Sequence, residues 1–493
     1  MMLNRLKPWS NGTSLVVTLS AIVTLSACSM APSYRQPTVM VAPSFASGNT
    51  AMQTGAVAAS NLGWQEYFTD ARLRQLIELA LDNNKDLRVA ALNVEAVRAQ
   101  YAIARANRLP AIGATGTGTK ARVAEDLSAA GRSYITESYN VGLGVTAFEL
   151  DLFGRVKSLS NAALNQYFAQ EQARDATQIS LIASVAKAYF AQRSAQANMN
   201  LSEQVLKTRE ESKRLTDLKF KAGVISAIDV DTAVSQIEAA RSDYAAAERN
   251  RDQARNALVL LVGQPLPEDL AAEAPLAAQF TNSELPVGLP SEILYQRPDV
   301  RQAEFALQAA NANIGAARAA FFPRISLTGS VGSGSTELSA LFIGGNATWS
   351  FVPQITLPIF TWGQNKANLD LAEVRKNIAV AQYEQTVQSA FRDVADALIA
   401  RRTLLQQYQA QQRSDKATAE RYRLVNMRFQ HGVSSSLELL DAERSNYASA
   451  QALLQTQQTL LENRADLYKV LGGGLVSKTL SPEPSESNAR TTQ

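Results

Sequence analysis

The stretch RFQHGVSSSL, residues 428–437, decides the fold because it holds the one glycine that interrupts a long helical region. Residues 364–431 contain neither Gly nor Pro, so nothing there breaks an α-helix, and a rod of roughly 100 Å is permitted. The run from 433 to 471 is equally unbroken and carries a heptad row of apolar or aromatic residues: Leu440, Tyr447, Leu454, Leu461 and Tyr468. These patterns predict a helical hairpin with coiled-coil packing that turns at Gly432.

The same hairpin is encoded earlier in the chain. A shift of 209 residues (429 − 220 = 209) lays FKAGVISAID, residues 220–229, on FQHGVSSSLE, residues 429–438, and places Gly263 on Gly472. The run 155–222 before the first turn again lacks Gly and Pro. The chain is therefore predicted to be an internal duplication.

Each repeat also carries a pair of predicted strands. In the first repeat, apolar residues alternate with small polar ones from 139 to 147, and the Gly- and Thr-rich stretch 112–119 is a weaker partner. In the second repeat, a similar alternation occupies 325–331 and 347–359, across a loop rich in Gly and Ser. Each repeat is therefore expected to run helix, two-strand hairpin, long helix, turn, long helix.

Four such strands leave two open sheet edges, which are a hazard in water and very costly in lipid. Closure by several copies of the chain would pair these edges. Strands of about ten residues, apolar on one face and small-polar on the other, are typical of a transmembrane barrel with a wet lumen. The pattern leaves open whether two, three or four copies close it, and soluble barrels contain similar strands.

The N-terminus has the pattern of a bacterial secretory signal. Arg5 and Lys7 precede an apolar run over residues 15–25, which is too short to span a membrane. The segment LSAC, residues 25–28, resembles a lipoprotein box, which implies cleavage before Cys28 and acylation of that cysteine as a membrane anchor. The alternative is a plain signal peptide followed by a chance cysteine.

Composition argues against several classes of function. A formal charge of +3 is too near zero to indicate a nucleic-acid partner. One histidine, His431, and one cysteine leave little material for a metal site or a catalytic thiol. The chain also lacks a Gly-rich phosphate loop and a His-containing triad, so neither an enzyme nor a cofactor is expected. His431 is expected to be an exposed turn residue rather than a pH switch.

Three further segments carry a resemblance to a known family. They are FELDLFGR at 148–155, GLPSEILYQRPDV at 288–300 and IGAARAAFFP at 314–323. They resemble the TolC family of outer-membrane factors, and most closely its acylated, OprM-like branch. The resemblance covers nearly all of the chain that follows the signal peptide.

This resemblance implies a mixed α/β membrane protein. Three copies would form a homotrimer with a 12-stranded transmembrane β-barrel, four strands per chain, continuous with a long periplasmic α-helical barrel and an equatorial domain. The implied function is the outer-membrane exit channel of a tripartite multidrug efflux pump. The implied partners are a periplasmic adaptor, an inner-membrane RND-type transporter driven by protons, and outer-membrane lipid.

The expected segments follow from these patterns and from the resemblance. They are a signal peptide (1–27), an acylated extended leader (28–63), helices of repeat 1 (64–109), a β-hairpin (110–153), a long helical hairpin (154–263), a Pro-rich equatorial linker (264–296), a tunnel helix of repeat 2 (297–322), a β-hairpin (323–362), a long helical hairpin (363–472) and a disordered tail (473–493).

The two helical turns are where the resemblance places adaptor docking. The matching residues are Phe220, Gly223, Val224 and Ser226 in the first turn, and Phe429, Gly432, Val433 and Ser435 in the second. The simpler interpretation is that both are only tight turns, with Gly for positive φ and Ser for the next N-cap. The two interpretations are compatible.

The resemblance also implies a gate at Leu437 and Asp441, one helical turn apart. Three Leu437 side chains would form an apolar constriction, and three Asp441 carboxylates would form a ring that raises their pKa and attracts cations. The simpler alternative is a surface ion pair between Asp441 and Arg444 or Arg428.

Other functions remain open on the sequence alone. A periplasmic coiled-coil adaptor lipoprotein would share the helical hairpins but would lack a strand pair in each repeat. Within the channel class, export of proteins or metals is a weaker alternative to drug efflux.

Overall fold

A computed structural model describes residues 29–42, 45, 61–129, 131–273 and 291–478. The predicted signal peptide, Cys28 and most of the predicted tail lie outside these ranges. The chain divides into two compact units. Unit 1 takes its described residues from 1–38, 93–170 and 302–384, and unit 2 takes its residues from 39–92, 171–301 and 385–493.

Eight α-helices are found in the described residues. They are α1 (Trp64–Tyr67), α2 (Ala71–Asn83), α3 (Lys85–Ala106), α4 (Arg155–Lys221), α5 (Ala227–Val262), α6 (Pro298–Ala319), α7 (Gln364–Gln430) and α8 (Ser436–Val470). Both α4 and α7 have 67 residues, because no Gly or Pro interrupts either run. In both repeats a shorter helix follows after a glycine turn.

The four strands form one antiparallel sheet in unit 1. They are β1 (Ile112–Val123), β2 (Tyr134–Leu150), β3 (Arg324–Ser335) and β4 (Ala347–Thr356), in the order β1-β2-β3-β4. Strand β2 of the first repeat pairs with β3 of the second, with Leu143 opposite Val331. The hydrogen bonds of the sheet therefore join the two repeats, and β1 and β4 are the edge strands of one chain.

The alternation predicted for β2 does not run as far as its expected end. The register shifts between Val145 and Phe148, and Ala147 takes a positive φ of 52°. This is a β-bulge, in which an extra residue interrupts the ladder and bends the strand. Phe148 and Leu150 then pair with Leu327 and Ile325, so apolar residues return to the same face after the bulge.

The core of unit 2 is aromatic where α1 meets the end of α8. Tyr468 is 1 % exposed, stacks on Tyr67 with ring centroids 4.2 Å apart, and meets Phe68 edge to face at 5.8 Å. Asp70 caps α2 by accepting from the backbone N–H of Arg72 at 2.8 Å. The ring contacts hold α1 against α8, and the cap fixes the start of α2.

Arg297 joins the start of α6 to the end of α8. Its side chain makes two bonds to Asp299, from Nε at 3.1 Å and from Nη2 at 2.7 Å, and Nη1 donates to the Val470 carbonyl at 3.0 Å. A guanidinium suits this site because its donors diverge in one plane. The QRPD sequence at 296–299 therefore serves as a clasp within unit 2.

In unit 1, the N-terminal residues 29–36 form an extended strap along α6. Asn311 donates to the Pro32 carbonyl at 2.8 Å, and Tyr34 donates to Glu304 at 3.1 Å. The strap can lie this close because position 315 is glycine: a Cβ there would stand 2.7 Å from the Ala31 nitrogen. The leader is thus packed against a helix over its described residues.

Candidate functional site: the two helical turns

The first turn lies between α4 and α5 in unit 2. Gly223 has φ 73°, and Val224 N–H donates to the Lys219 carbonyl at 3.1 Å, which closes the end of α4. Ser226 then begins α5 with a capping box, in which Asp229 accepts from the Ser226 backbone N–H at 3.0 Å. The turn is therefore built by local hydrogen bonds and by one left-handed glycine.

The second turn, between α7 and α8, repeats this geometry. Gly432 also has φ 73°, and Val433 N–H donates to the Arg428 carbonyl at 2.8 Å. Ser435 caps α8 by accepting from the Glu438 N–H at 3.2 Å. The simpler interpretation of both turns, Gly for positive φ and Ser for the cap, is therefore seen in the structure, and it leaves a docking role open.

Both turns expose apolar side chains, which we call the tip surface. Its members and their exposed fractions are Phe220 (46 %), Val224 (70 %), Ile228 (76 %), Val433 (66 %) and Leu437 (75 %). Phe429, the counterpart of Phe220, is half-buried, and the Lys219 ammonium lies 5.5 Å from its ring centroid. That contact brings the two turns side by side and leaves an exposed apolar surface around them.

Asp441, predicted as a gate residue, is engaged by two arginines within the chain. Arg421 Nη2 lies 2.6 Å from one of its carboxylate oxygens, and Arg444 Nη2 lies 3.3 Å from the other. The hydrogen bond from Arg421 is the main reason that the pKa of Asp441 lies below its usual value, and the nearby positive charge of Arg444 lowers it further. The raised pKa expected for a ring of three carboxylates depends on three copies of the chain and stays a prediction; Arg421 is a partner of Asp441 that the sequence analysis did not include. Arg428 pairs instead with Glu438, at 3.5 Å.

Glu443, two residues further along α8, was not singled out by the sequence analysis. It is 9 % exposed, and one carboxylate oxygen lies 3.3 Å from Arg209 Nη1 of α4. The same Arg209 nitrogen donates to Gln236 of α5 at 2.8 Å. Because Glu443 lies on α8, Arg209 links the first helical hairpin to the second. Burial raises the pKa of Glu443, against the attraction of Arg209. The sequence signal that could have identified Glu443 is its position three residues after Leu440, on the same face of the helix.

Other features of the described residues add no further site. No group of three or more His, Cys, Asp or Glu residues is placed to hold a metal ion there. Among the same residues, no helix combines the length and the apolar character needed to cross a membrane. His431 is exposed at the second turn.

Comparison with known proteins gives a family match in both repeats. The family described as "Outer membrane efflux protein" matches residues 76–264 and 289–473. The chain is 48% identical over 457 residues to the toluene efflux pump outer membrane protein TtgC of Pseudomonas putida, covering 92% of this chain and 94% of that protein. It is 42% identical over 455 residues to the cation efflux system protein CusC of Escherichia coli, covering 91% and 96%.

A solved structure supports the same match. The chain is similar to the open state of the Neisseria gonorrhoeae MtrE outer membrane channel, with a TM-score of 0.84 and 50% sequence identity. The likeness covers 92% of this chain and all of that one. It therefore extends over both the sheet and the helical hairpins of each repeat.

Proposed function

Since the chain belongs to the outer membrane efflux protein family, we propose that it is the exit duct of a three-part pump and that its two glycine turns dock an adaptor. The protein is an outer-membrane efflux channel, and channels of this family have a large periplasmic part. The predicted fold class and location are thereby confirmed. A periplasmic adaptor is not supported as an alternative, because the matched family and the relative TtgC are described as outer membrane efflux proteins.

Three copies of the chain would close the channel. One chain supplies four strands and leaves β1 and β4 with a single partner each. Pairing β4 of one copy with β1 of the next satisfies both edges, and three copies give twelve strands. An RND-type transporter in the inner membrane and a periplasmic adaptor would complete the pump.

The observation that carries the docking proposal is the tip surface. Apart from Leu437, which is assigned below to the gate, four apolar side chains exposed around two glycine turns of equal φ form a patch suited to a protein partner. Hydrogen bonds and N-caps hold the backbone of both turns, so the partner would meet a preformed surface. Lys219 and Arg428, which flank the turns, supply charge at the rim of the patch.

The gate is proposed at Leu437 and Asp441, at the start of α8. Leu437 is 75 % exposed in one chain, as a side chain that meets its symmetry copies in a trimer would be. The pairing of Asp441 with Arg421 and Arg444 means that each copy brings two guanidinium groups near the carboxylate. Opening would then have to move Asp441 together with these partners.

The cargo is proposed to be small organic compounds, including drugs. The relatives named above serve pumps for toluene in one case and for cations in another. Choice of cargo is therefore assigned to the transporter, and the channel supplies the path. Export of proteins or metals stays a weaker alternative.

Single-channel conductance in planar bilayers tests the gate. We expect a silent or very small conductance for the wild type and a large one for Leu437→Ala/Asp441→Ala. The matched control is Ile228→Ala/Thr232→Ala, at the equivalent positions of repeat 1 (437 − 209 = 228; 441 − 209 = 232). A large and equal conductance in all three proteins would keep the channel and discard this gate.

Adaptor docking has its own test. Val224→Asp or Val433→Asp places a charge on the tip surface without touching either glycine. We expect loss of adaptor co-purification with an unchanged trimer, and adaptor binding that survives both substitutions would rule out docking at this surface.

A further inference from the structure

Residues 357–362, between β4 and α7, form an exposed apolar segment of unit 1. The exposed fractions are 53 % for Leu357, 80 % for Ile359, 87 % for Phe360 and 99 % for Trp362. Arg324 pairs with Thr356, so the segment lies at the sheet edge where α6 ends and α7 begins. We call it the tryptophan loop.

The backbone of Trp362 is unusual. Its φ is +49°, and the following Gly363 has φ +85°, just before α7 begins at Gln364. Among the described residues other than glycine, Ala147 is the one further case of positive φ, and the β-bulge accounts for it. A left-handed bulky residue is unfavourable by itself and persists where something outside the local backbone stabilises it.

The equivalent segment of repeat 1 has its aromatic residue packed against the protein. A shift of 209 residues places Phe153 on Trp362 and Gly154 on Gly363. Phe153 is half-buried and stacks on Phe322 with ring centroids 4.8 Å apart. The two repeats share the left-handed glycine, but only in the second repeat does the preceding aromatic residue have positive φ and an exposed side chain.

The apolar face of β4 continues into the tryptophan loop. Alternate residues along it are apolar, and they are Trp349, Phe351, Pro353, Ile355, Leu357 and Ile359. At about 3.3 Å per residue, the ten steps from Trp349 to Ile359 span ~33 Å of chain, or ~25 Å along the normal of a membrane for a strand tilted by about 40°. That matches the apolar band of about 25 Å on outer-membrane barrels, with Trp349 near one border and Trp362 beyond the other.

We propose that the tryptophan loop is an interfacial anchor, whose indole lies among phospholipid headgroups at the helix-side surface of the outer membrane. Indole suits this layer because its ring is apolar and its N–H can donate to a headgroup or to water. The positive φ at Trp362 turns the chain away from the strand direction before α7 starts. The ring is thereby presented at the border of the apolar band.

This inference rests on the location of the channel in the outer membrane, and Trp349 provides the matched control. Trp64, the other described tryptophan, is 3 % exposed and supplies a constant background. Trp349→Phe leaves Trp362 as the exposed indole, Trp362→Phe leaves Trp349, and the double variant reports the background. Each protein is reconstituted into phosphatidylcholine bilayers whose quencher sits at the headgroup (a nitroxide-labelled choline) or on the acyl chain (bromines at carbons 6,7 or 11,12).

For Trp362, we expect the steepest quenching by the headgroup label and the weakest by bromine at carbons 11,12. Trp349 should also be quenched from within the lipid. If Trp349 is quenched and Trp362 responds to none of the lipid labels, the loop is covered by a second copy of the chain and the anchor is wrong. If neither tryptophan is quenched, the sheet is not in the bilayer, and the location on which the anchor rests fails as well.

Trp362→Gly and Trp362→Ala give a second, independent readout. Glycine accepts the positive φ and alanine does not, so a purely conformational role predicts that Gly is tolerated better than Ala. An anchor predicts that graded detergent extracts the trimers of both variants from vesicles more easily than the wild type, and to the same extent. Trimers of Trp362→Tyr should be retained in the vesicles. Equal retention of all three variants would overturn the proposal.

Discussion

Replacing Gly315 by alanine should release the N-terminal strap from α6. The new Cβ would stand 2.6 Å from Ser158 Oγ, 2.7 Å from the Ala31 nitrogen and 2.9 Å from its Cα, closer than carbon can approach. Two of these three neighbours are backbone atoms of the strap, which cannot rotate away as a side chain can. The strap must therefore move outward near Ala31.

The size of the effect follows from two opposing terms. Alanine in a helix interior is favoured over glycine by about 0.5–1 kcal/mol, so α6 itself gains stability. Displacing the strap removes the hydrogen bond from Asn311 to Pro32 and strains the next, from Tyr34 to Glu304, each worth about 0.5–1.5 kcal/mol net. A loss of ~1.4 kcal/mol corresponds to roughly tenfold more frequent opening.

Limited proteolysis, together with hydrogen exchange followed by mass spectrometry, separates these terms. We expect trypsin to cut the strap after Arg35 about tenfold faster in Gly315→Ala, while the amides of α6 exchange at the same rate or more slowly. Ala317→Gly is the control, since it should loosen α6 and leave the strap in place. Adding Ser158→Ala should not restore the strap, because the contact with Ala31 remains. Unchanged protection of residues 30–36 would refute the reasoning.

Three further predictions concern unit 2. Glu443→Gln should raise the melting temperature of the trimer at pH 7.5 and leave it unchanged near pH 4, and a variant less stable than the wild type at pH 7.5 would contradict the assigned cause. Ser435→Ala should cost about 1 kcal/mol by removing the N-cap of α8, seen as faster exchange in its first turn, whereas Ser436→Ala should not. Arg297→Lys should lower the melting temperature, because lysine cannot keep the paired bonds to Asp299 while reaching Val470; an equal melting temperature would exclude the clasp.

The sign for Glu443 follows from its raised pKa. Burial raises the pKa of Glu443 in the folded chain above its ordinary value of 4.5. The folded chain therefore binds this proton more tightly than the unfolded chain does. The contribution of the carboxyl group to stability is therefore fully present below that value and is lost as pH rises through the folded pKa. Glutamine stays neutral at every pH, so it avoids this loss, and each unit of pKa displacement is worth about 1.4 kcal/mol.

The helical hairpins and the strand pairs were predictable because local pattern determines them. Uninterrupted runs without Gly or Pro give α4 and α7, and an alternation of period two gives the strands. The bulge at Ala147 was not predictable, since it depends on how β2 pairs with β3 rather than on its own residues.

The environment of the two acids on α8 was harder to infer. Asp441 was identified through the family resemblance, but its partner Arg421 lies on another helix, 20 residues earlier in the chain. Glu443 is paired with Arg209, 234 residues away (443 − 209 = 234), so its burial is a tertiary property. The gating and docking roles of these turns remain predictions that the conductance and adaptor experiments test.

The pairing of β2 with β3 has a consequence for the ancestry of the protein. The hydrogen bonds that unite the two repeats within a chain are of the same antiparallel kind as those that would unite β4 with β1 of the next copy. A single unduplicated repeat carries two strands and one helical hairpin, so six such half-length chains could build the ring that three full chains build. Joining two such repeats in one chain leaves alternate hairpins free to differ, as they do where Phe153 of the first repeat stands at the position of Trp362 in the second.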